Sequence, residues 1–209
     1  MCNKKIFMLK EKNIVLFDFD GTLSARDANT EFSAYCFKHS IWPWFFWPAV
    51  KIFARFRRWY PDGIWWRQIM RRFVTKTMVK KFSSDFIAQH RKNRFDWVQE
   101  CLAREHDAGN IVIMVSASVD YLLYPLVSDL DFDVVFCSQT DKKRPWKYTF
   151  LCYGANKVKR VKQWAHENGI NPHFVRSYSD SKSDLPMMEI ADEQVWVNAK
   201  TGERKYVKS

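Results

Sequence analysis

The run Ile14-Val-Leu-Phe-Asp18-Phe-Asp20-Gly21-Thr22-Leu23 sets two carboxylates two residues apart at the end of an apolar stretch. An apolar run that stops on acid is the pattern of a buried strand delivering charge to a sheet edge, where α/β proteins keep their chemistry. Period-two alternation puts Asp18 and Asp20 on one side of the chain, Gly21 permits a sharp turn, and Thr22 supplies a hydroxyl at its mouth. Two acids held so close repel unless a cation lies between them. The plainer alternative is that both only cap a strand-to-helix turn.

Three further segments follow in chain order. Ile111-Val-Ile-Met-Val-Ser116-Ala117-Ser118 is a second β-rich run, ending on a hydroxyl able to donate to an anion or simply to cap the strand. Cys152-Tyr-Gly154-Ala-Asn156-Lys157 joins a glycine turn to a helical stretch from Lys157 to His166, with Val158, Val161 and Trp164 at helical spacing. Lys157 near the start of that helix is set against the local dipole, a placement explained by a bound anion, although such a lysine can also be a solvated surface charge. The strand beginning Phe174-Val-Arg breaks at Ser179-Asp180-Ser-Lys-Ser-Asp184, before a short helix near Pro186. Asp184 suits an N-cap as well as a site, whereas Asp180 at the strand end has no local structural role.

Together these four segments resemble the haloacid dehalogenase superfamily of phosphotransferases, and within it the phosphoserine-phosphatase-like group of small phosphatases with a helical cap inserted after the first motif. The resemblance implies that Asp18 attacks phosphorus and becomes an aspartyl phosphate. It implies that Asp20 protonates the leaving oxygen and later deprotonates water. Thr22, Ser116 and Lys157 become the donors and cation for the charge on the transferring phosphoryl group. Magnesium is assigned to Asp18, the backbone carbonyl of Asp20, and Asp180, with Asp184 as a further ligand or as the acid that holds Lys157 or a metal-bound water. Substrate contacts fall to Asp27, Gly21, Ala117 and Ser118. Two positions depart from the pattern: Ser179 stands where much of the superfamily has glycine, and Asp27 stands where phosphoserine phosphatases have the glutamate that reads the substrate amine. More loosely, the layout is similar to bacterial phosphatidylglycerophosphatases of the same superfamily.

These residues require a Rossmann-like α/β core with a parallel sheet from strands near Ile14, Ile111, Val134, Phe174 and Val195. The core is expected to span 1–25 and 98–209, with a helical cap over 26–97. At 209 residues and 47% apolar, the chain suffices for one sizeable core and a satellite domain. Five cysteines without paired spacing, no signal-like pattern at the start, and five scattered histidines point to a reducing cytoplasm and away from zinc.

The net charge of +11 is concentrated in the expected cap. Between positions 41 and 84 lie ten basic residues and the single acid Asp62, interleaved with six of the ten tryptophans. Three readings of that composition stand side by side. The aromatics form a helical core with a solvated basic face, or the stretch meets an anionic membrane surface as a peripheral contact on the inner face, or it binds nucleic acid, for which no recognised module is present. The run 41–50 has two prolines and meets Lys51 too early for a membrane span. The substrate is accordingly a phospholipid head-group phosphate, such as phosphatidylglycerophosphate, or a soluble metabolite such as phosphoserine. A membrane- or RNA-binding protein that had lost the reaction would have no need of Asp18, Asp20, Lys157 and Asp180 together.

Overall fold

The computed structural model describes residues 10–40, 71–72 and 74–208. The tryptophans from Trp42 to Trp66 and the basic residues from Lys51 to Arg67 lie outside the described residues. Strand β1 (Lys10–Phe17) is followed by α1 (Ala28–Lys38), α2 (Lys76–His90), a 3₁₀ turn (Arg91–Asn93) and α3 (Val98–Asp107). Then come β2 (Ile111–Val119), α4 (Asp120–Val127), β3 (Val134–Thr140), β4 (Tyr148–Phe150) and α5 (Ala155–Glu167). The chain closes with β5 (Ile170–Ser179), a 3₁₀ turn (Lys182–Asp184), α6 (Leu185–Met188), β6 (Glu193–Val197) and β7 (Arg204–Lys208).

The seven strands form one sheet in the order β4-β3-β2-β1-β5-β6-β7. The five central strands are parallel, with Ile14 opposite Ile111 and Phe174, while β4 and β7 pair antiparallel at the edges. The α/β core with strands at all five expected places is therefore present, and its two edge hairpins are additional to the sequence reading.

β1 sits at the centre because Ile14-Val-Leu-Phe17 is apolar on both faces, and all four residues are fully buried. Val15 and Phe17 enter the layer that includes α1, α3 and α4, whereas Ile14 and Leu16 enter the layer of α5 and α6. Each such side chain adds about 1.5–3 kcal/mol of burial. Phe17 also stacks on Tyr178 of β5, with ring centroids 4.2 Å apart. This packing fixes β1 against β5, and the Asp18 N–H extends the pairing by donating to the Tyr178 carbonyl at 3.0 Å.

The helices begin where local chemistry dictates. Asp27 caps α1 by accepting from the Thr30 N–H, and Thr75 caps α2 through Met78. Gly154, at φ +55, starts α5. Lys157, Val161 and Ala165 then share the buried stripe of that helix, so its packing carries the lysine inward. Among the described residues no helix is long and apolar enough to cross a membrane, and Cys36, Cys101, Cys137 and Cys152 are buried free thiols.

Candidate active site

Asp18, Lys157, Asp180 and Asp184 meet at the carboxyl ends of β1 and β5, beside the start of α5. Asp18 is 6% exposed; its Oδ1 accepts from Lys157 Nζ at 2.7 Å. The same ammonium donates to Asp184 Oδ2 at 2.8 Å. Asp184 occupies the N-cap position of α6 without a side-chain capping bond; its Oδ2 also accepts from the Ser179 hydroxyl at 2.8 Å. The serine that stands in place of glycine thus braces the acid that braces the lysine.

Asp180 is held by the turn after β1. Its N–H donates to Thr22 Oγ1 at 3.1 Å, and the Thr22 hydroxyl lies 3.4 Å from Asp180 Oδ1. Gly21, at φ +76, is needed here: a Cβ on it would come within 2.2 Å of Asp180 Oδ2. Asp20 is fixed on both oxygens, Oδ1 accepting from the Ala28 N–H at 2.7 Å and Oδ2 from the Ser118 hydroxyl at 2.5 Å. Ser116 Oγ accepts from the Ser118 N–H at 3.1 Å.

A cavity of about 480 Å³ opens over this cluster, lined among others by Asp18, Asp20, Gly21, Asp27, Ala117, Lys157, Asp180 and Asp184. Thr22, Ser116 and Ser118 are fully buried and do not line it. In this arrangement Thr22 ties two loops together, Ser118 holds Asp20, and Ser116 holds the Ser118 backbone. A larger, more open cleft of about 920 Å³ runs along the β6–β7 hairpin and shares only Asp180 with the cluster. It has neither Asp18 nor Lys157, so the smaller cavity is the candidate site.

Three further side chains in the cavity wall escaped sequence reasoning. Arg71, 7% exposed, lies over the Tyr148 ring at 3.8 Å. Tyr148 belongs to the short edge strand β4 and itself lines the cavity. Asn29, the second residue of α1, accepts from the Val119 N–H at 3.2 Å through Oδ1. Nothing local in the basic run separates Arg71 from its neighbours; its burial comes from β4, far along the chain. For Asn29 the only available signal was its position two residues after Asp27.

The electrostatics are those of a crowded acid site. Burial, with Asp184 and Asp180 nearby, pushes Asp18 up to about 7 despite the opposing pull of Lys157. Burial together with Asp27 and Asp18 pushes Asp20 up to about 8. Burial also raises Asp180. Lys157 resists its own burial because the Asp18 and Asp184 carboxylates raise it well above an ordinary lysine, so it stays charged. Among the described residues the site therefore holds more acid than Lys157 neutralises.

A hard divalent cation fits that excess. Asp184 Oδ1 is buried without a hydrogen-bond partner, and Lys157 occupies only one oxygen of Asp18. Among the described residues no three His, Cys, Asp or Glu side chains are gathered closely enough to hold a metal ion by themselves. The described cavity lining offers carboxylate oxygens and no histidine or cysteine, a hard donor set that suits magnesium better than zinc.

The family model for haloacid dehalogenase-like hydrolases matches residues 15–189, a span containing every residue of the cluster. The chain belongs to that family. A histidinol-phosphatase of Neisseria meningitidis is 24% identical over 206 residues, covering 90% of each chain. Two solved structures share the fold. One is a Bordetella pertussis protein of unknown function, with TM-score 0.65, 17% identity and coverage of 90% of this chain and 91% of that one. The other is a phosphoserine phosphatase in apo form, with TM-score 0.62, 19% identity and coverage of 88% and 85%. The chain is accordingly a hydrolase of the haloacid dehalogenase type.

Proposed function

We propose that this enzyme hydrolyses a phosphomonoester in two steps with magnesium as cofactor. The observation that carries the reading is the Asp18–Lys157–Asp184 arrangement at 2.7 and 2.8 Å, buried at the floor of a cavity that Asp20 and Asp180 also line. An Asp18 oxygen forms a bond to phosphorus as the ester P–O bond breaks, and Asp20 gives its proton to the departing alkoxide. Water then attacks phosphorus while Asp20 takes a proton back, and the Asp18–phosphorus linkage breaks to release phosphate. An acid held near neutrality suits a group that must donate first and accept second, and burial beside Asp27 and Asp18 gives Asp20 that character. Lys157 keeps Asp18 oriented and adds positive charge beside the phosphoryl oxygens. Magnesium, bound by Asp18, the Asp20 carbonyl and Asp180, with Asp184 able to take a ligand position or hold a bound water, would neutralise charge gathering on those oxygens.

Residues 26–97 act in this reading as a cap that shapes the leaving-group side of the cavity. Asp27 there favours a small soluble ester with an amine near the phosphate. The Neisseria relative is a histidinol-phosphatase, and histidinol phosphate is an ester of this kind. Arg71 and Tyr148 then form the wall facing the leaving group, and Gly21 and Ala117 the floor around the phosphate. A second reading, a phospholipid head-group phosphate taken from the inner membrane face, is favoured by Leu151 and Tyr153, which line the cavity and are 40% and 48% exposed, and by the basic tryptophan-rich stretch beyond position 40.

The test is phosphate release, with and without magnesium, from histidinol phosphate, phosphoserine, an aryl phosphate, and phosphatidic acid and phosphatidylglycerophosphate in mixed micelles. Magnesium-dependent preference for the amino esters supports the first reading, and preference for the lipids selects the second. Absence of turnover with every ester overturns both and leaves a binding protein on an inactive fold.

A further inference from the structure

The chain crosses between β1 and the insert that follows it along two adjacent segments. Ala25 N–H donates to the Asn93 carbonyl at 2.9 Å, Phe95 N–H donates to the Leu23 carbonyl at 3.0 Å, and Ser24 pairs antiparallel with Arg94. Beside this crossing stand three polar side chains that the mechanism above does not use. His90, the last residue of α2, is 2% exposed. Its Nε2 is 3.2 Å from Ser24 Oγ, and its Nδ1 is 3.0 Å from Glu31 Oε2.

For a neutral imidazole one proton arrangement satisfies both contacts. An ionised Glu31 can only accept, so Nδ1–H donates to it, and Nε2 is left to accept the Ser24 hydroxyl proton. The other Glu31 oxygen accepts from Arg26 Nη1 at 2.7 Å. The connectivity is that of a serine–imidazole–carboxylate triad, but Ser24 is 1% exposed and does not line the cavity, so it is no nucleophile.

What the trio touches at its two ends is the mounting of Asp20. The Ser24 carbonyl accepts from the Gly21 N–H at 2.8 Å, closing the turn that bears Asp20. Glu31 lies in the first turn of α1, and the first N–H of that helix, Ala28, donates to Asp20 Oδ1 at 2.7 Å. Both the backbone and one carboxylate oxygen of Asp20 are thereby referred to a single imidazole on α2.

We infer that Glu31, His90 and Ser24 form a positioning relay that holds Asp20 in the orientation for proton transfer by tying it to the last helix of the insert. The inference rests on the general-acid role proposed for Asp20. None of the three residues touches the substrate; they act through the Asp20 turn and α1.

The discriminating readout is dependence on the leaving group. An alkyl phosphate needs the Asp20 proton as its P–O bond breaks, whereas p-nitrophenyl phosphate releases a stable phenolate and depends on it much less. For His90→Phe, kcat on the alkyl ester best used by the wild type is expected to fall about 10- to 100-fold, and on p-nitrophenyl phosphate less than about threefold. Inhibition by inorganic phosphate, which reports Asp18 and Lys157, is expected to be unchanged, and His90→Gln should restore part of the alkyl activity. Glu31→Gln, on the partly exposed end of the relay, should show the same bias more weakly and serves if His90→Phe does not fold. Equal losses on both esters, loss of phosphate inhibition, or no change in either variant would overturn the relay. Asp20→Asn separates the two proposals. If it shows no leaving-group bias, the general-acid assignment fails; if it does and the His90 and Glu31 variants do not, the relay alone fails.

Discussion

Lys157 is the residue on which the site's charge balance turns. It is 2% exposed and sits between Asp18 and Asp184, so its removal leaves two buried carboxylates without the ammonium that bridges them. Breaking such a pair from one side costs about 3–5 kcal/mol. Lys157→Met should therefore lower metal-free stability by about that amount in urea unfolding and abolish turnover, with magnesium restoring part of the stability but none of the activity. Stability equal to the wild type without metal would show that Asp18 and Asp184 do not depend on the ammonium. Arg71 differs in kind: it is a buried guanidinium over Tyr148 with no carboxylate bonded to it among the described residues, and burial pulls its pKa down. Replacing it should change KM among leaving groups with little effect on the chemical step, which comparison of KM and kcat for esters of different alcohols would reveal.

The elements that deliver these residues differ in how far local sequence announces them. β1 and β2 are apolar runs ending in polar residues, a signal contained within ten residues; β5 shows only its second half, from Phe174, because Asn171-Pro172-His173 near its start breaks the pattern; and α5 shows its stripe at helical spacing. Of the acids the structure brings together in the candidate site, Asp18, Asp20 and Asp180 were legible because they stand at or just past strand ends, and Asp184 because it follows Asp180 in the same loop. β4 and β7 were not: one is three residues long, and the other, Arg204–Lys208, is a charged edge strand whose pairing is supplied by β6. The same limit hid Arg71 and the contact from Ser24 to His90, which join residues far apart in the chain and leave no local pattern. Ser116 and Ser118 were visible as strand-end hydroxyls, but only tertiary structure brings the Ser118 hydroxyl to Asp20 and leaves Ser116 accepting from the Ser118 N–H. Gly21 marks where element geometry and site geometry coincide. Gly21→Ala places a Cβ at φ +76 and against Asp180, so it should lower the thermal midpoint and reduce magnesium affinity measured by calorimetry. An alanine variant with unchanged magnesium binding would mean that Asp180 is not fixed by this turn.

For the whole molecule, the excess of buried acid makes stability depend on pH and metal together. Asp18 and Asp20 are raised to about 7 and about 8 in the fold, from about 4 in the unfolded chain. Between those limits the native state holds more protons than the unfolded one, so their contribution is complete below about pH 4 and is lost as pH rises through 7 to 8. The thermal midpoint of metal-free protein should fall from pH 6 to pH 8.5, and magnesium should raise it most at the upper end, where the carboxylates are ionised. A magnesium effect independent of pH would contradict that balance. Buried His90 works in the opposite sense. Burial lowers its pKa despite Glu31, so its contribution is present above about pH 6.5 and lost as pH falls; acid weakening should be reduced in His90→Gln. The central claim, that Asp18 carries the phosphoryl group, is tested most directly by acid-quenching the enzyme during turnover of the ester it uses best and mapping the phosphoryl adduct by peptide mass spectrometry. The account predicts an adduct on the peptide containing Asp18 that disappears on chase, with Asp18→Asn showing no adduct and turnover lowered on the order of 10⁴-fold. An adduct on another residue, or wild-type turnover in Asp18→Asn, would contradict it.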